Sequence, residues 1–192
     1  MTQKLDRRDV LKALIPNPSS YLFVTGLAGA AKDTAALTKD GNNLFTMAGT
    51  MGAAVSMGLG VAISAPQKQT IVITGDGEIL MNLGSLATVA TMKPKNLSII
   101  CIDNGCHGET GGQKGHTNNY TNLEGIAIGA GIKSTITIET IQQLSEGRTL
   151  LKSPTKPSFI VIKVSDGPPS KYKRNLDPAE CRLRFRSHFL KH

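Results

Sequence analysis

The chain alternates short, continuous apolar runs with longer stretches rich in small and apolar residues. TIVIT (70–74) is a continuous run of β-branched residues, and NLSIICID (96–103) is apolar without a break from Ile99 to Ile102. That is the pattern of a strand covered on both faces rather than on one. YLFVT (21–25), the run 44–47 and SFIVIKV (158–164) predict further strands, and 135–138 a weaker one. Helices are predicted over 6–15, 49–64, 78–92, 123–131 and 141–152, the second stopped by Pro66. Residues 105–122 are polar and Gly-rich, which predicts a long loop. There is no internal repeat and no low-complexity segment. Buried strands alternating with helices predict an α/β fold, a doubly wound parallel sheet flanked by helices. One domain over 1–192 is expected, with a basic helix or tail from about 171 to 192.

Composition narrows the classes. A chain of 192 residues with 40% hydrophobic content can bury one real core. Aromatic residues make up 4% and Trp is absent, so that core must be aliphatic. No apolar run approaches the roughly 18 residues of a membrane span, and the opening MTQKLDRRDV lacks the apolar centre of a secretory signal. Cys101, Cys106 and Cys181 form no CxxC pair, which argues against a disulfide framework, a zinc ribbon or an iron–sulfur site. A cytoplasmic protein that engages no membrane is expected.

The formal charge of +8 is uneven. Residues 171–192 hold seven cations (Lys171, Lys173, Arg174, Arg182, Arg184, Arg186, Lys191) against Asp177 and Glu180, or +5. A nucleic-acid-binding arm is one reading. The better one is a terminal helix, since LDPAECRLRFRSHFL has a Pro near its start and apolar Leu183, Phe185, Phe189 and Leu190. Such a helix docks on its own domain or on a partner, and no nucleic-acid partner is expected.

In doubly wound sheets, ligands sit beyond the carboxyl ends of the strands. TIVIT runs into Gly75-Asp76-Gly77, and NLSIICI into Asp103-Asn104-Gly105. Asp76 and Asn104 are 28 positions apart, the length of one right-handed βαβ crossover. If the two strands are neighbours, a carboxylate and an amide oxygen converge at one sheet edge. Magnesium takes near-octahedral oxygen ligands, commonly one or two carboxylates plus phosphate oxygens. The glycines allow a diphosphate to approach the backbone, and the helix opening near Gly77 turns N–H groups toward an anion.

GDGEILMNLGSLATVATMKPKNLSIICIDN resembles the thiamine-diphosphate signature, a GDG followed some 25 residues later by Asn. The flanking runs MAGTMGAAVSMGLGVAISAP and GCHGETGGQKGHT resemble the same enzymes, and within them the phosphonopyruvate and sulfopyruvate decarboxylases. The likeness is good over about 42–117 and looser elsewhere. It implies thiamine diphosphate and Mg2+ as cofactors, and decarboxylation of a small anionic 2-oxoacid to an aldehyde. A carboligase of the acetolactate-synthase kind shares the same metal motif, and a non-catalytic cofactor-binding subunit is a further alternative.

The resemblance assigns roles by position. Asp76 and Asn104 give side-chain oxygens to the metal and Cys106 its carbonyl; Gly75, Gly77 and Glu78 line the diphosphate. Gly49 offers its carbonyl to the aminopyrimidine, and Met51 wedges between the two rings, a task suited to a large unbranched apolar side chain. His107 and Gly108 follow in the cofactor loop. His107 is the candidate catalytic residue, shuttling a proton or meeting a substrate anion, and His116 is a weaker one. The Cys106 thiol is expected to be a spectator and Cys101 a buried strand residue.

The loop Thr25-Gly26-Leu27-Ala28-Gly29-Ala30 departs from the pattern by lacking charged side chains, so its N–H groups would serve the diphosphate instead. Glu109 and Thr110 stand where relatives often carry Ser-Thr, which leaves the substrate open. The resemblance also implies a pyrimidine-binding α subunit supplying the activating glutamate, because the stretch before Tyr21 is too short to hold that domain. A hetero-oligomer follows.

Overall fold

The computed structural model describes residues 5–47 and 49–190. Lys191 of the basic tail therefore lies outside the described residues. In chain order the elements are α1 (Arg7–Leu14), β1 (Leu22–Thr25), α2 (Ala28–Thr38), β2 (Leu44–Thr46), α3 (Ala54–Ser64) and β3 (Thr70–Gly75). Then come α4 (Asp76–Leu80), α5 (Gly84–Met92), β4 (Leu97–Asp103), and the small strands β5 (Cys106–His107) and β6 (Gln113–Lys114). The last are α6 (Leu123–Gly129), β7 (Ser134–Ile138), α7 (Leu144–Lys152), β8 (Ser158–Lys163) and α8 (Pro178–Phe189).

Six strands form one sheet in the order β2-β1-β3-β4-β8-β7, and every pairing within it is parallel. Successive residues of the central strands feed opposite faces. Leu22, Val24, Val72, Ile99, Cys101, Phe159 and Val161 pack with α3, α5, α6 and α8. Phe23, Ile71, Ile73, Ile100, Ile102, Ile160 and Ile162 pack with α1, α2 and α7. That double coverage is why these strands read as unbroken apolar runs, and it makes the sheet the doubly wound α/β fold expected. Helix α3 lies tight on β3: a methyl group on Gly58 would come within 2.1 Å of Val72 Cγ2. The first strand step goes from β1 outward to β2, and the chain then returns to the other side of β1. The switch point, where ligands settle in such sheets, therefore falls between β1 and β3.

Several boundaries differ from expectation for local reasons. The helix predicted from 49 begins at Ala54, because Gly49 (φ +80°) and Gly52 (φ +86°) hold a left-handed turn no helix can contain. The helix predicted over 78–92 is two: α4 opens at Asp76 and closes at Leu80, and residues 81–83 turn the chain into α5. The loop 105–122 contains the β5–β6 hairpin and a 3-10 turn at His116–Asn118. Helix α7 starts at Leu144 rather than 141.

The terminal helix docks on its own chain. Asp177 caps α8 by accepting from the Ala179 and Glu180 N–H groups, with Pro178 at the first position. Cys181 and Phe185 are buried, and Phe185 meets Phe45 of β2 edge-on, ring centres 5.6 Å apart. Lys68 Nζ donates to the His188 and Phe189 carbonyls at the helix end, and Arg184 pairs with Asp40. Among the described residues no helix is long and apolar enough to cross a membrane.

Candidate metal and diphosphate site

β3 and β4 are hydrogen-bonded neighbours, with Gly75 opposite Ile102. Asp76 and Asn104 therefore leave the sheet side by side. The Asn104 side-chain oxygen lies 3.2 Å from Asp76 Oδ1 and 3.1 Å from the Cys106 carbonyl oxygen. The amide can present either its NH2 or its oxygen to these two oxygens, and with a cation between them the oxygen is the end that faces in. Octahedral magnesium, with oxygens at 2.0–2.1 Å, sets adjacent ligands about 2.9 Å apart. One carboxylate, one amide oxygen and one main-chain carbonyl are hard donors, and they leave coordination positions for phosphate oxygens and water. The residues fit such an ion.

The surrounding electrostatics agree. Asp76 is 3% exposed, and its carboxyl is pushed above the ordinary range by burial and then by the charge of Asp103, with the Thr117 hydrogen bond pulling the other way. Thr117 Oγ1 lies 3.0 Å from Asp76 Oδ2 and 2.7 Å from Asp103 Oδ1, one hydroxyl proton for two carboxylates. Asp103 is better supplied. Lys163 Nζ lies 2.6 Å from its Oδ2 and the Gly105 N–H donates to its Oδ1. A divalent cation at Asp76 would reverse the unfavourable balance there.

His107 and Met51 converge over the same turn. A methyl on Gly77 would come within 3.0 Å of His107 Nδ1 and Cε1, and 3.8 Å of Met51 Cε. Met51 is 41% exposed, held out by the Gly49–Gly52 turn. Gly75 caps α4 without a side chain, so its first N–H groups receive no cap from that position. Gly49 and Gly108 are exposed, the latter at the tip of the β5–β6 hairpin.

Other expected residues sit differently. Glu78 turns inward and is buried. Its Oε2 accepts from the Leu27 N–H at 3.4 Å, while Oε1 has no hydrogen-bond partner among the described residues, and burial raises its pKa. A methyl on Gly26 would lie 1.5 Å from Oε1. The Leu27 N–H, expected to face the diphosphate, is thus directed at Glu78. Glu109 pairs with Lys32 of α2 at 3.0 Å, and His116 is exposed. Cys101 is buried in β4. The Cys106 thiol is pushed up to about 11 by burial and by its hydrogen bond to Asp166, so it is a donor rather than a nucleophile.

Sequence reading missed Asp103, Thr117, Lys163 and Asp166. Asp103 sat in view within DNG; the others join through tertiary contacts that no spacing announces.

Residues 28–162 match the model of the thiamine pyrophosphate enzyme, C-terminal TPP binding domain, and the chain belongs to that family. Within it, the chain is similar to the sulfopyruvate decarboxylase subunit beta of Methanocaldococcus jannaschii, at 43% identity over 140 residues, 73% of each chain. It is also similar to the phosphonopyruvate decarboxylase of Streptomyces viridochromogenes, at 32% identity over 92% of this chain and 44% of that one. The chain thus spans less than half of that longer relative. Among solved structures, the thiamine diphosphate-dependent 4-hydroxybenzoylformate decarboxylase of Rhodococcus jostii RHA1 superposes with a TM-score of 0.68 at 17% identity, over 86% of this chain and 33% of that chain. That likeness speaks for the fold.

Proposed function

We propose that this chain is the cofactor-binding β subunit of a thiamine-diphosphate- and Mg2+-dependent 2-oxoacid decarboxylase, and that it takes a sulfo- or phosphono-substituted pyruvate. The observation that carries the reading is the meeting of the Asp76 carboxylate, the Asn104 amide and the Cys106 carbonyl, 3.1–3.2 Å apart across the amide, at the carboxyl edge of the sheet. It is supported by the 43% identity to a sulfopyruvate decarboxylase β subunit.

Thiamine diphosphate, when bound, supplies the carbanion chemistry that lets carbon dioxide leave. The chain's own residues bind and orient. Asp76, Asn104 and the Cys106 carbonyl would hold the metal, and the backbone at Gly75 and Gly77 would lie beside the diphosphate. Met51 would support the cofactor rings from an uncharged turn. His107 sets its Nδ1–Cε1 edge against Gly77. That leaves Nε2 as the nitrogen turned further from the turn, where it can hold a proton for the substrate or meet its anionic group.

A pyrimidine-binding α subunit would complete the site and bring the activating glutamate. The relative's designation as a subunit beta and the much longer single-chain relative both support this. So does the uncharged surface of α3 and α5, on which Met57, Ile63 and Met92 are exposed.

The test is to purify the chain alone and with its candidate partner, and to assay sulfopyruvate, phosphonopyruvate and pyruvate with thiamine diphosphate and Mg2+. Decarboxylation of an anionic pyruvate by the pair alone is expected, with His107→Ala lowering kcat and sparing cofactor affinity. Full activity of the isolated chain would refute the need for a partner. Turnover of pyruvate but of neither substituted analogue would refute the substrate class.

A further inference from the structure

The Asn104 amide has acceptors on both sides. Its oxygen faces the Asp76 and Cys106 oxygens at 3.2 and 3.1 Å. Its Nδ2 donates to Cys106 Sγ at 3.0 Å and to Asp166 Oδ1 at 3.4 Å. The Cys106 S–H in turn donates to Asp166 Oδ1 at 2.8 Å. Turned by half a rotation, the amide would set its NH2 against the Cys106 and Asp76 oxygens and close the metal position with its own protons. Its oxygen would then face the Asp166 carboxylate. The two orientations have the same shape, so the groups around the amide decide between them.

We infer that Asp166, acting through the Cys106 thiol, is the positioning residue that keeps the Asn104 oxygen aimed at the metal position. The inference rests on the metal reading of Asp76, Asn104 and Cys106. Asp166 fixes both ends of the choice. Its carboxylate accepts from the NH2 and repels the amide oxygen, and by taking the S–H proton it leaves the Cys106 sulfur as an acceptor for the NH2. Without Asp166 the thiol proton is available to the amide oxygen, and the turned orientation becomes fully hydrogen-bonded. Asp166 comes from the loop after β8, 60 residues beyond Cys106. That loop is anchored independently: the Ser165 N–H donates to the Leu5 carbonyl at 2.8 Å, and Val164 bridges Leu5. Asp166 itself is exposed, so its loss leaves the core intact. Groups that orient a metal's ligands typically govern metal affinity by 10- to 100-fold.

The experiment titrates the full chain with Mn2+ in the presence of thiamine diphosphate and reads free Mn2+ by electron paramagnetic resonance. Asp166→Ala is expected to weaken Mn2+ binding by roughly 10- to 100-fold with the metal-free Tm unchanged. Asp166→Asn keeps an acceptor oxygen for both donors and is expected to recover most of the affinity. Asp76→Ala serves as the reference and is expected to lose binding. Wild-type affinity in Asp166→Ala, beside a loss in Asp76→Ala, would overturn the positioning role and leave the metal site standing. An equal loss in Asp166→Asn and Asp166→Ala would also overturn it, because net charge rather than orientation would then be the cause. Unchanged binding in Asp76→Ala, or none in the wild type, would overturn the metal reading itself.

Discussion

The two edges of the central sheet each gather buried oxygens and each carries a lysine, but at the carboxyl edge Lys163 pairs with Asp103 while Asp76 stays burdened by burial and by the Asp103 charge. At the amino edge, Lys156 Nζ donates to Ser98 Oγ (2.7 Å), the Leu150 and Leu151 carbonyls (3.1 and 3.0 Å) and Ser158 Oγ (3.1 Å). Next to it, Asn96 Nδ2 donates to three carbonyls, those of Ala62, Ala65 and Lys68. At the carboxyl edge the oxygens outnumber the protons. The Asp76 carboxylate and the Cys106 carbonyl meet at the Asn104 amide, Thr117 has one proton for two carboxylates, and Glu78 Oε1 has no hydrogen-bond partner among the described residues. A buried polar cluster that balances itself stabilises the fold, as the lysine does where it meets the end of α7. One left short of positive charge is built for something that arrives later, and its cost falls on the empty chain.

That contrast can be broken or sharpened by substitution. The largest effect is expected from Asp76→Ala, which should lower Mg2+-dependent thiamine diphosphate affinity by more than about 100-fold in calorimetry. Asp76→Asn should do much the same while making the metal-free chain more stable in urea, because it removes a buried charge beside Asp103. A less stable Asp76→Asn would mean that the hydrogen bonds to Asp76, that of Thr117 among them, outweigh the cost of its buried charge, and the contrast would fail. Lys156→Met should act in the opposite sense, costing about 2 kcal/mol of stability in urea unfolding while leaving metal affinity alone. Gly26→Ala should cost roughly 1–3 kcal/mol, because the new methyl collides with the buried Glu78 carboxylate. Pairing it with Glu78→Ala should return most of that loss.

The smallest effect is one of pH. Asp76 and Glu78 both have folded pKa values above their ordinary 3.8 and 4.5. Between the unfolded and the raised folded values the folded chain binds more protons than the unfolded one. The contribution of these two groups is therefore fully present at low pH, and is lost as pH rises through the folded values. The metal-free chain should accordingly lose stability from this source as pH climbs out of the carboxyl range toward neutrality, as read by urea unfolding across that range. The loss should vanish in the double variant Asp76→Asn, Glu78→Gln, and shrink in the wild type with Mg2+ and thiamine diphosphate. An identical pH profile in the double variant would show that the carboxyl edge is not short of protons.

Much of this molecule was legible along the chain. TIVIT and NLSIICID announced central strands because a strand buried on both faces needs no alternation. The 28-residue separation placed Asp76 beside Asn104 because one crossover in a parallel sheet has a narrow range of lengths. Local chemistry decided these features, and a reader of local chemistry can find them. Helix starts were less legible where glycines intervened: the run from 49 to 64 has helical composition, and only the left-handed turn at Gly49 and Gly52 delays the helix to Ala54. Orientation was not legible at all. Nothing in the order of residues says that Glu78, two positions after Asp76, turns under the Gly26 backbone. Nor does it say that Asp166 reaches Cys106 across 60 residues, or that Lys163 comes from the neighbouring strand to hold Asp103. These depend on which faces the folded sheet brings together, because a side chain finds its partner through space and not along the chain.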